Sequence, residues 1–198
     1  MARPRQISNE QIIEAARASI YEHGPHVSTD IIARELGVSS PALLKRFGSK
    51  EDLIVTALAP PERPPFLEAI EQGPNESPLD AQMAHLTEEI ASWLRSMMPR
   101  FAALRTSGLM ARVLQDNYDT PPLIRTLQAL TGWFSRAARL GLVNDSAPET
   151  MASMMLGSIH IQIFMTFMTN ASDPGEVNEY LTESMGLLAR SFSATEHQ

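Results

Sequence analysis

The chain has 198 residues, of which 43% are hydrophobic, with no cysteine and a formal net charge of −7. That length allows one domain or two small ones with an adequate core. The absence of cysteine excludes a disulfide framework and any thiolate metal site. No uninterrupted apolar run reaches the roughly 20 residues that cross a bilayer, and the polar start MARPRQISNEQ lacks the apolar centre of a signal peptide, so a soluble, cytoplasmic protein without a membrane partner is expected.

In chain order, the first helix is predicted from about Asn9 to His23. Ser8 and Gln11 form a capping-box pattern, Gly24 and Pro25 stop the helix, and Ile12, Ile13, Ala16 and Ile20 make its apolar stripe. The segment STDIIARELGVSSPALLKRFGSK, residues 28–50, reads as two short helices joined by a tight turn. Ser28 or Thr29 caps the first of them, while Ile31, Ile32 and Leu36 give it one buried side. Gly37 supplies the turn, because glycine takes up positive φ without steric cost. Ser39 or Ser40 caps the second helix, and Pro41 suits its first turn, where a missing N–H does no harm. Leu43 and Phe47, four apart, point inward together. That leaves Pro41, Ala42, Leu44 and Lys45 outward and Arg46 on a flank. Two helices, a glycine turn and an outward basic helix are what a DNA major groove accepts.

These residues resemble the DNA-binding domain of the TetR family of bacterial transcriptional regulators. The similarity runs from Ile12 to Leu53 through Ala15–Arg17, Gly24, the pair Ile32–Ala33, the turn Leu36–Ser39 and Phe47–Leu53. The chain departs from the family pattern at Ile20 and Pro25, where many members carry an aromatic residue, and at Leu44, where many carry tyrosine. The resemblance implies a dimer whose heads enter successive major grooves of a palindromic, double-stranded operator. Lys45 and Arg46 would reach base edges or phosphate, Lys50 would grip phosphate, and Thr29, Ser39 and Ser40 would add hydroxyl contacts. Leu44 has no hydrogen bond to offer but can touch a thymine methyl.

Charge agrees with this division. Residues 1–58 carry seven Lys/Arg and seven Asp/Glu, so the remaining 9 basic and 16 acidic residues supply the whole −7. Both lysines, Lys45 and Lys50, lie in the neutral part, and Ser39–Lys50 holds three positive charges and no negative one. Arg3 and Arg5 add a basic arm. The acidic remainder keeps the rest of the protein off the phosphate backbone.

A fourth helix is predicted after Ser49 and ends before Pro60 and Pro61. Residues 66–78 read as a connector with at most one short helix. A long helix opened by Ser77 carries Leu86, Ile90, Trp93, Leu94 and Met97 as far as Pro99, with shorter helices over about Arg100–Thr106 and Leu109–Gln115. Thr120-Pro121-Pro122 opens a helix that stops at Gly141, Ser146 opens one to Thr169, and Pro174 opens the last, to about Phe192. The expected fold is all-α: a three-helix head with the helix-turn-helix in residues 1–59, and a helical bundle for effector binding and dimerisation in residues 60–198.

The helix from Met151 to Met168 is apolar nearly all round, so it must be covered on more than one side. Packing against the last helix and against the same pair in a second copy gives a two-fold four-helix interface, which the family resemblance also implies. A buried central helix in a monomer gives the same pattern. Soft, wide side chains on several helices suit an apolar or aromatic effector of unnamed identity: Trp93, Met97, Phe101, Met110, Trp133, Phe134, Met155 and Phe164, with His160 as a polar anchor. Each is also an ordinary core residue by type.

No metal or cofactor is expected, since the five histidines show no i, i+4 pair and no ligand cluster joins them. Nor is an enzyme expected: Ser107-Gly108 and Gly157-Ser158 lack the strand–turn–helix setting of a nucleophile elbow, and no glycine-rich phosphate loop occurs. The reading is therefore a transcriptional regulator, a repressor by the family's habit. Its rivals are a ligand-independent regulator or activator with the same fold, and an apolar-ligand carrier or enzyme with a vestigial head.

Overall fold

The computed structural model describes residues 7–144, 147–169 and 174–193. Among them are ten helices, and the sole extended pairing is an isolated bridge between Val143 and Ser193. Ser146, the expected opener of the ninth helix, and the arm residues Arg3 and Arg5 lie outside the described residues.

The chain forms two compact units. The first holds residues up to Pro60 together with Pro99–Asp119; the second holds Pro61–Met98 and the chain from Thr120 onward. This differs from a single division at 59/60, because residues 99–119 pack with the head.

In the first unit α1 (Asn9–His23) starts on a complete capping box: the Ser8 hydroxyl accepts from the Gln11 amide at 3.2 Å, and the Gln11 side chain accepts from the Ser8 amide at 3.0 Å. Helix α2 (Thr29–Leu36) ends at Gly37, which has φ 67° and ψ 30°. The Gly37 amide donates to Arg34 and the Val38 amide to Ala33, so the reversed turn satisfies two carbonyls that the helix leaves free. Helix α3 (Ser40–Phe47) follows, then α4 (Lys50–Leu58), which Ser49 and Asp52 cap reciprocally. Ile12, Ala16 and Ile20 of α1 meet Ile32 and Ala33 of α2, Leu43 of α3, and Leu53 and Leu58 of α4 in one core. Leu104 from the last part of α6 (Leu79–Thr106), Val113 of α7 (Met110–Asp116) and Tyr118 complete it. The buried Tyr118 hydroxyl donates to the Pro60 carbonyl at 2.6 Å, and Arg112 pairs with Asp52.

The second unit contains α5 (Leu67–Gln72), the first part of α6, α8 (Pro122–Arg139), α9 (Pro148–Thr169) and α10 (Pro174–Phe192). Helix α9 packs on α8 and α10, and α5 packs on α8. The stretch expected to be a connector is a core element: Phe66, Leu67 and Ile70 are fully buried, and Arg136 of α8 donates to the Ile70 carbonyl at 2.8 Å. By length and composition α9 could cross a membrane, but Met151, Met155, Leu156, Ile159 and Ile163 are buried in this core, as in a central helix of a bundle.

Pro99 does not end its helix. Helix α6 runs through it, so the two helices expected on either side are one. Proline removes one donor and crowds the carbonyl four residues back. Pro99 is exposed, which leaves that carbonyl within reach of water, while buried Met97 and Leu104 anchor the helix on both sides. Packing outweighs the local preference.

Candidate functional site

Helix α3 buries Leu43 to 1% exposure and packs half-buried Phe47 against the head core, while Leu44 is partly exposed. Its opposite side presents Ser39, Pro41, Ala42, Lys45 and Arg46, all exposed. Ser39 occupies the N-cap in an extended conformation but makes no side-chain cap bond, so its hydroxyl remains available for another partner. Ser40 is engaged instead: its hydroxyl lies 2.6 Å from that of Thr29, which joins the starts of α2 and α3.

The three cations differ in their surroundings. Lys45 makes no ion pair or hydrogen bond among the described residues, and its ammonium stands in solvent. Arg46 donates one guanidinium nitrogen to the Ile7 carbonyl, tying the chain before α1 to α3. The Lys50 ammonium donates to the His26 carbonyl at 2.9 Å, which brings the start of α4 beside the loop that precedes α2. Thr29, Ser40 and Lys50 are thus fixed by contacts within the head, while Ser39, Pro41, Ala42 and Lys45 are free of them. The sequence pattern placed the cations but gave no sign that the Ile7 and His26 carbonyls would hold two of them.

The nine residues expected at an effector site are divided between the two units. Phe101 and Met110 belong to the first unit, where Met110 packs against the core, whereas the other seven belong to the second. There Trp133, Phe134 and Met155 are at most 1% exposed, and Trp133 meets Phe134 edge to face with centroids 5.1 Å apart. They form solid core rather than the wall of an open site. Met97 is buried too, at 4%. Phe164 points away from that core and is 48% exposed. His160 is half-buried, its Nδ1 2.9 Å from the Leu156 carbonyl one turn back. Burial pushes its pKa below the ordinary histidine value, and the Leu156 carbonyl opposes this more weakly. Trp93 lines a cleft, which it shares with Phe66 and two glutamates that sequence reasoning did not single out.

A three-helix head with α3 presented in this way defines a helix-turn-helix DNA-binding module. Residues 12–57 match the model of the bacterial regulatory proteins, tetR family. The head thus matches a TetR-family DNA-binding domain over residues 12–57. Solved structures share the fold over nearly the whole length. A proposed TetR-family regulator from Mesorhizobium loti MAFF303099 is 17% identical, with a TM-score of 0.72, over 93% of this chain and 96% of its own. SmeT in complex with triclosan is 18% identical, with a TM-score of 0.64, over 96% of this chain and 94% of its own. FadR from Bacillus subtilis in complex with stearoyl-CoA is 18% identical, with a TM-score of 0.60, over 92% and 98%. No protein of curated function matches the chain in sequence.

Proposed function

We propose that the protein is a homodimeric repressor that binds a palindromic operator through α3 and is released by a small apolar or aromatic effector. The observation that carries the DNA-binding part is Lys45: an unpartnered cation on the exposed side of a helix-turn-helix second helix, with no acidic residue from Ser39 to Lys50. Lys45 and Arg46 read base edges or phosphate, Lys50 holds phosphate, and Ser39 offers its unused hydroxyl. Pro41, Ala42 and Leu44 make apolar contacts in the groove, and Thr29 and Ser40 hold the two helix starts together beside the phosphates.

Dimerisation is supported by an apolar face that the chain leaves uncovered. Met154, Ile161, Met165 and Met168 of α9, with Tyr180 and Leu187 of α10, are each at least 44% exposed. Exposed large side chains recurring at helical spacing along two neighbouring helices suit an interaction surface, and a two-fold axis would place the same side chains of a second copy against them. The half-sites of the operator then lie about 34–36 Å apart. In this reading the role is binding rather than catalysis, in the cytoplasm where the DNA is. Residues 1–59 supply the DNA contacts, and residues 60–198 supply dimer and effector contacts.

An effector is supported by two of the structural neighbours, whose complexes hold triclosan and stearoyl-CoA. A ligand can shift the equilibrium only through unequal affinity for the DNA-binding and free states. The closed packing of Trp133, Phe134 and Met155 favours a second reading, a regulator with the same fold and no effector. Selecting operator DNA, then screening compounds for both thermal stabilisation and operator release, separates the two. Hits that stabilise the protein without moving operator affinity would leave only the second.

A further inference from the structure

Beside the start of α5, the second unit carries an open cleft of about 280 Å³. Its apolar side is made by Pro65, Phe66 and Trp93, the two rings standing edge to face with centroids 5.3 Å apart and planes at 76°. Glu88, Glu89 and Ser92 form its polar side, on the same stretch of α6 as Trp93. Helical spacing explains the grouping: residues 89, 92, 93 and 96 rise along one face of α6. No lysine, arginine or histidine lines the cleft.

The two carboxylates are not equivalent. Glu88 shares its charge with Arg95 at 3.4 Å, and Arg95 also donates to the Asn178 side chain at 2.6 Å. Glu89 has no ion pair or hydrogen bond among the described residues, so its negative charge is uncompensated where it meets the cleft. Aromatic faces carry the negative part of the ring quadrupole and attract cations. Carboxylates and ring faces together repel an anion and leave a neutral apolar molecule without a partner for Glu89.

We propose that this cleft binds a small organic cation, an ammonium group carrying an apolar or aromatic body. The body lies against Trp93 and Pro65, with buried Phe66 backing the indole edge to face, and the cationic head lies against Glu89. The volume lies just below the usual range for small-molecule sites, roughly 300–1,000 Å³, which limits the ligand to a small one. Binding stands on the geometry of the cleft; only a consequent release of DNA rests on the effector reading above.

The test titrates the intact protein with benzyltrimethylammonium and, separately, with neopentylbenzene, its neutral isostere, following tryptophan fluorescence. The expected result is a saturable change with the cation, at least about tenfold weaker with the neutral molecule and about tenfold weaker in Glu89→Gln. Trp93→Leu, followed by calorimetry because it removes the reporting indole, should abolish binding. Glu89 is exposed, so Glu89→Gln keeps the test valid even where Trp93→Leu does not fold. Equal affinity for the two molecules, an undiminished response in Glu89→Gln, or no saturable change would overturn the proposal. Operator affinity measured with and without the cation is a separate arm: saturable binding with unchanged operator affinity supports the cleft and removes it from the effector reading.

Discussion

The Lys50 ammonium donates to the His26 carbonyl, 2.9 Å away and 24 residues earlier in the chain. This bond fixes the lysine at the start of α4, where it can face a phosphate but has little freedom to follow a base edge. Lys45 has no such tether. Lys50→Ala is therefore expected to weaken binding to all DNA sequences alike and to reduce the salt slope by about one, since phosphate carries no sequence information. Lys45→Ala is expected to cost about 1–3 kcal/mol on the operator and to relax specificity at one position. Anisotropy titrations against operator and scrambled DNA over a range of salt distinguish the two patterns.

A pH effect is expected from the pairing of α4 with α7. The Ser49 hydroxyl first, and the Arg112 guanidinium second, hold the Asp52 carboxyl below the ordinary aspartate value of 3.8. A carboxyl with a depressed folded-state pKa stabilises the fold above the unfolded value and loses that contribution as pH falls through the folded value. Wild type should therefore melt above Asp52→Asn at pH 6, and the gap should narrow below about pH 4. Melting curves of both proteins between pH 2.5 and 7 give the answer; a constant gap would remove the carboxylate from the account.

His160 starts neutral in the fold where Asp52 starts charged, yet it has the same direction of pH dependence. Burial lowers its folded-state pKa, so below the ordinary value of 6.5 the unfolded chain takes up a proton that the folded chain refuses. Stability then falls as pH drops from 6.5 to the folded value and is unaffected above it. The loss in melting temperature between pH 7 and pH 5 should be smaller in His160→Gln than in wild type.

The exposed side of α9 predicts an assembly defect that leaves the fold intact. Ile161 and Met165 are 52% and 47% exposed in the single chain, so glutamate at either is tolerated there. At a dimer interface the same carboxylate would be buried without a partner, at a cost large enough to separate the copies. Sedimentation should find a wild-type dimer at micromolar concentration and a folded monomer for Ile161→Glu. A wild-type monomer would dismiss the interface.

The head was legible in the sequence because its signals are local. Ser8 with Gln11, Gly37 between two short amphipathic runs, and Pro41 at a helix start each fix a few backbone bonds from neighbours in the chain, and the structure has all three. Pro99 and Phe66 were misread for the converse reason. Whether a proline ends a helix, or a phenylalanine after a proline run enters a core, depends on partners far along the chain, here the packing about Met97 and Leu104 and the side of α6 bearing Trp93. Residue type likewise cannot separate a pocket wall from solid core: Trp133 and Met155 are the large, soft side chains that either would use, and only their burial tells which they are.

The central claim is that the exposed side of α3 binds operator DNA. Selection of binding sequences from a random duplex library, repeated with the triple substitution of Lys45, Arg46 and Lys50 to alanine, tests it most directly. The account predicts that wild type enriches a palindrome with half-sites about one turn apart, roughly 34–36 Å, and that the triple variant enriches nothing. Enrichment of the same sequence by the triple variant, or of no sequence by wild type at low salt, would contradict it.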